Sequence, residues 1–166
     1  MTTITPVYTK NLTDPIDAEM EDRVASKQPP KVVWDCMPYE YVGPFPAGTH
    51  IDDMTLELDE IPRRAPYEYE TVVKYLYRDT GLLVFVIKGT ERVETVIVLP
   101  HSRYRLACDG VQISGSFTKL VDRWAELGNQ VEMTRPPMHQ LLPGLSVILP
   151  EGRKTIDGAQ LKLLSS

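Results

Sequence analysis

Cysteine is scarce in this 166-residue chain: there are two, Cys36 and Cys108, far apart and in no CxxC pair. Without a CxxC, neither zinc nor a redox pair is suggested. The sequence leaves one disulfide between them open. Two reduced thiols are the favoured expectation, because the N-terminal stretch MTTITPVYTKNLTDP lacks the basic start and apolar core of a secretion signal. Synthesis in a reducing cytoplasm follows as an expectation. Long apolar runs are missing too, and none approaches the roughly 18 residues of a bilayer span, so no membrane partner is expected.

The motifs of common chemistries are equally thin. His50, His101 and His139 stand alone, with no HxH and no HExxH. There is no GxSxG, no GxxxxGK[ST] and no GxGxxG, which removes the recognisable serine hydrolase, P-loop and dinucleotide sites. The surroundings of the two cysteines, WDCMP and LACDG, supply neither an adjacent base nor a helix N-terminus to lower a thiol pKa. No internal repeat and no low-complexity tract is present.

What the chain does have is a run of strand-forming sequence. In 67–78 the odd positions Tyr67, Tyr69, Thr71, Val73, Tyr75 and Tyr77 alternate with a largely charged even set. This period of two predicts a half-buried strand, and the aromatic and β-branched content favours it over a helix on the stripe Tyr69, Val72, Val73 and Leu76. After Asp79-Thr80-Gly81, residues 82–87 are apolar on both faces, as a central strand would be. Residues 93–99 complete a three-strand meander.

Around this meander the elements are short. Residues 1–13 carry no usable period and predict an extended arm with Ile4, Val7 and Tyr8 as anchors. Asp14-Pro15 opens an acidic helix ending near residue 26, whose apolar stripe of Ile16, Met20 and Val24 is too thin for a central core helix. Residues 32–41 predict a strand that Pro38 pushes to an edge or bulge. The alternation of Met54, Leu56 and Leu58 predicts another. Asp109-Gly110 between 103–108 and 111–114 is a hairpin signal.

Phe117, Leu120, Val121, Trp124 and Leu127 define an amphipathic helix over about 116–128, capped by Ser116 and closed by Gly128. Residues 129–144 read as irregular. Residues 145–149 read as a strand, followed by a hairpin of 153–156 and 159–164 about Asp157-Gly158. The 14 prolines exceed the usual share of about 5% and fall almost wholly between elements.

The fold class expected is therefore mainly β (α+β). An antiparallel meander, sandwich or barrel core carries one packed amphipathic helix, and a short N-terminal helix rides on an extended arm. The expected division is an arm at 1–30 and a single β-rich domain at 31–166.

Three chemistries remain to be weighed. His50, Asp52 and Asp53 could reach a divalent ion, but an acidic loop is the preferred reading of so short a match. PGLSVILPEG at 143–152 resembles the strand-and-turn phrase of cupin β-barrels. The paired histidines and following glutamate that carry cupin metal chemistry are absent, so that family is not adopted and no cofactor or metal is expected. A face of Tyr67, Tyr69, Tyr75 and Tyr77 near Arg63, Arg64, Arg78, Lys88, Arg92, Arg103 and Arg105 could stack bases and neutralise phosphates. An acidic net charge of −5 opposes that use, and nucleic acid is disfavoured.

Charge is unevenly spread: residues 1–60 hold 4 basic against 12 acidic side chains, and residues 61–124 hold 10 against 7. An acidic leading third and a mildly basic middle can attract each other within a chain or between neighbours. With the arm, these features suit a non-enzymatic structural or assembly protein. Its partners would be other protein subunits in a homo-oligomer or larger assembly, with Ile4, Val7, Tyr8, Ile16, Met20 and Val24 as partner-binding residues. A viral or phage particle component is the most concrete version. The rival classes are a nucleic-acid-binding β module, a small-ligand β-barrel enzyme, and an inhibitor that occupies a host protein.

Overall fold

The computed structural model describes residues 30–66, 69–131 and 137–165. The expected partner-binding residues Ile4, Val7, Tyr8, Ile16, Met20 and Val24, the acidic helix at 14–26, and Tyr67 all lie outside the described residues. The described elements belong to one compact unit, Lys31–Ser166.

The chain enters on β1 (Val32–Met37), turns into β2 (Tyr41–Val42) and β3 (Phe45–Pro46), and reaches helix α1 (Ile51–Leu58). Then come β4 (Arg63–Arg64) and the meander β5 (Val72–Tyr77), β6 (Leu82–Ile87) and β7 (Val93–Val98). The hairpin β8 (Tyr104–Cys108) and β9 (Val111–Ile113) leads into helix α2 (Phe117–Glu126). The chain closes with β10 (Met138–Leu142), β11 (Leu145–Ile148) and β12 (Gly158–Lys162).

These strands form two open sheets, ordered β3-β2-β1-β8-β9 and β10-β11-β12-β7-β6-β5-β4. The architecture is the expected β-rich α+β class, with the described strands in two sheets. The larger sheet is antiparallel throughout, whereas β1 runs parallel to β8 in the smaller one. Inner-face residues of both sheets, among them Cys36, Val42, Leu106, Val84, Val96 and Leu161, join one contiguous core. Trp124 of α2 and Met54 of α1 are fully buried in it.

The meander holds its centre as the pattern predicts, with β6 flanked by β5 and β7. Its first strand is shorter than the alternation suggested, because the ladder starts at Val72 rather than in the high sixties. Glu60 pins the β5–β6 turn. Its carboxylate accepts from the Asp79 N–H at 2.9 Å, the Thr80 N–H at 2.8 Å and the Thr80 hydroxyl at 2.6 Å. Burial opposes ionisation of Glu60, but these donors outweigh it and hold the carboxyl below its ordinary range.

The strand expected at 54–58 is helix. His50 sits in extended conformation and its Nδ1 accepts from the Asp52 N–H at 3.1 Å, acting as the N-cap. Asp52 and Asp53 lie in the first turn, where negative charge meets the positive helix end. Asp59 at φ 55 returns its N–H to the Thr55 carbonyl and stops the helix. Ile51, Met54 and the half-buried Leu58 form the inward stripe, and Leu56, counted on an apolar strand face, is 80% exposed.

Three other expectations are corrected. β1 lies in the interior of its sheet rather than at an edge, since Pro38 falls just beyond it and costs no ladder bond. Part of the supposedly irregular 129–144 is β10, which pairs with β11 through a turn at Pro143-Gly144, with Gly144 at φ 90. No hairpin forms about Asp157-Gly158. Gly158 instead starts β12, which pairs with β11 and β7, and glycine serves there because a Cβ would collide with the carbonyl oxygen of Val98 on β7. The Asp109-Gly110 hairpin forms as expected, with both residues at positive φ. So does α2, capped by Ser116 accepting from the Lys119 N–H.

Candidate functional site

A groove of about 510 Å³ is walled by both sheets. Val98 at the end of β7 and Ala159 of β12 contribute one side, Leu106 of β8 and Ile113 of β9 the other. Ile156, in the β11–β12 connection, helps close it. That connection is held against the start of α2 by the Phe117 N–H on the Lys154 carbonyl at 3.0 Å and the Ile156 N–H on the Gly115 carbonyl at 2.8 Å.

Polar groups in the lining are few and fixed. The Arg105 guanidinium donates to the Tyr104 carbonyl at 2.8 Å, to the Pro100 carbonyl at 3.5 Å, and to the Ser102 carbonyl. It is thus anchored on backbone oxygens rather than on a carboxylate. Lys31, exposed, adds a second positive charge. The acidic member, Asp157, stands 3.4 Å from Arg153 and is offset by it. The Gln112 amide donates to the Ser114 hydroxyl at 2.7 Å. The groove is therefore an apolar cleft with two cations, suited to a partner combining aliphatic or aromatic side chains with carboxylates.

The side chains singled out by sequence do not converge. Tyr77 is fully buried, its hydroxyl 2.8 Å from the Thr55 hydroxyl, so it cannot stack a base. Tyr75 is half-buried and packs against the core. Tyr69 is exposed, its ring 6.1 Å from that of Phe85. Arg92 donates to the Gly48 carbonyl at 2.9 Å, and Arg103 lies 5.0 Å over the Tyr104 ring. Within β5 the alternation marks a core face at Val73 and Tyr77, and a continuous tyrosine platform is not formed by the described members.

His50 is committed to capping α1, with Asp52 and Asp53 exposed to solvent. Among the described residues, no group of three or more His, Cys, Asp or Glu could hold a metal ion. His101 bonds the Arg78 carbonyl at 2.9 Å. His139 is buried, with its ring 5.2 Å from Phe117. No helix among the described residues is long and apolar enough to cross a membrane. Sequence reasoning missed Lys31, Arg105 and the groove walls, because they are drawn from five separate stretches with no local signature.

No protein-family model, no curated protein and no solved structure matches the chain.

Proposed function

We propose that the protein is a non-enzymatic subunit of a larger assembly, such as a viral or phage particle. In this reading 31–166 is the folded domain, and residues 1–30 are an arm that binds the sheet-junction groove of a neighbouring copy. The observation that carries the reading is the pairing of apolar walls with Lys31 and Arg105 in that groove. The arm has the complementary chemistry. Ile4, Val7, Tyr8, Ile16, Met20 and Val24 are apolar, and the stretch 14–22 holds five carboxylates and no basic residue. Extended or thinly amphipathic segments bind in this manner, through a few anchors in an apolar cleft with charges at the rim. Leu56 and Ile61, 80% and 88% exposed, supply further apolar surface for subunit contact.

A synthetic peptide of residues 1–30, labelled and titrated with the full chain carrying Lys31→Glu, and with the unaltered chain, tests the proposal. Fluorescence anisotropy is expected to report binding to the unaltered chain and several-fold weaker binding to the variant. Peptide that stays free at all protein concentrations, in a chain that also stays monomeric, would remove the groove as the arm's receptor. Tight binding of single-stranded DNA or RNA at physiological salt would instead favour the nucleic-acid module.

A further inference from the structure

Cys36 and Cys108 stand 72 positions apart in the chain. The parallel ladder between β1 and β8 pairs Trp34 with Leu106 and Asp35 with Ala107, so its next step sets Cys36 opposite Cys108. Opposed residues of neighbouring strands project from the same face, here into the core, and the two residues are 1% and 0% exposed. Strands in a ladder lie about 4.8 Å apart, inside the Cα separation of about 4.4–6.8 Å that a disulfide spans. The thiols sense each other. Their mutual hydrogen bond, then burial, pushes Cys36 above the ordinary thiol range, while the same bond holds Cys108 below it.

We propose that Cys36 and Cys108 form a redox site, reduced at synthesis and converted to an intramolecular disulfide staple by a small-molecule disulfide such as oxidised glutathione. The Cys108 thiolate attacks one sulfur of the oxidant and expels the first glutathione thiolate, forming a mixed disulfide. Cys36 then loses its proton and attacks the Cys108 sulfur, expelling the second glutathione. Two cysteine thiols are oxidised and one glutathione disulfide is reduced to two thiols.

Access comes from the strand ends. Cys108 is the last residue of β8, directly before the exposed Asp109-Gly110 turn, and Cys36 lies one residue from the end of β1. The Cys36 end of β1 is paired with β2 through Cys36 and Val42, so the oxidant enters by local opening at the exposed Asp109-Gly110 turn rather than by global unfolding. The staple would tie β1 to β8, the one parallel pair among the described strands, and close a long loop across the meander and α1.

The test incubates the full chain with oxidised glutathione in mild urea, then denatures it, alkylates it and measures the intact mass. The expected product is a monomer two hydrogens lighter, with no alkylated thiol and a Tm raised on the order of 10 °C. Dithiothreitol should reverse both changes. Cys36→Ser and Cys108→Ser should each show no staple and no rise. Two alkylated thiols after days in oxidant, crosslinks only between chains, or a staple that lowers Tm would each overturn the proposal.

Discussion

At the scale of single residues, Trp124 is the largest fully buried side chain and joins α2 to the core. Its indole N–H donates to the Leu141 carbonyl on β10 at 3.3 Å, so the side chain has a polar anchor as well as apolar packing. Trp124→Ala should cost about 3–5 kcal/mol in chemical denaturation, and Trp124→Phe distinctly less. A loss below about 1 kcal/mol for the alanine variant would mean that the core does not depend on α2. Tyr77 makes a second residue-scale prediction. Burial pushes its phenol up to about 12 from an ordinary value of 10, against the opposing Thr55 hydrogen bond. The folded state therefore retains a proton that the unfolded chain gives up, and stability falls as pH rises between those two values. Tyr77→Phe should flatten that part of the stability curve. An unchanged alkaline slope in the variant would place the titration elsewhere.

At the scale of elements, what could be read from sequence was what short-range chemistry decides. The Ser116 cap, the apolar spacing to Trp124 and the Asp109-Gly110 turn each lie within a dozen residues, and α2 and the β8–β9 hairpin form where they indicate. The misreadings have the opposite character. Met54, Leu56 and Leu58 span only five residues, too few to separate a period of two from one of 3.6, and the decision rests on His50 and Asp59 at the ends. Asp157-Gly158 has hairpin chemistry, yet the glycine serves a close backbone approach to β7. Gly158→Ala should thus destabilise by about 1–3 kcal/mol through overpacking, measured in urea melts. A neutral substitution there would show that the β7–β12 contact yields easily.

At the scale of the molecule, the charge asymmetry needs a finer division than thirds. Residues 1–30 hold 3 basic and 5 acidic side chains, whereas residues 31–60 hold 1 and 7, so most of the acidic excess belongs to the β1–α1 part of the domain. If residues 1–30 bind as proposed, electrostatic help would come from the run 14–22, and the salt dependence of binding should be modest. The groove itself was not legible in sequence, since Lys31, Val98, Arg105, Ile113 and Ile156 meet only through the apposition of two sheets. The most direct measurement is light scattering of the full chain and of residues 31–166 across concentration, alongside thermal melts. The full chain is expected to associate, and the truncated chain to keep its Tm to within a few degrees while scattering as a monomer. A truncated chain that unfolds, or one that associates as the full chain does, would contradict the assignment of assembly to the arm.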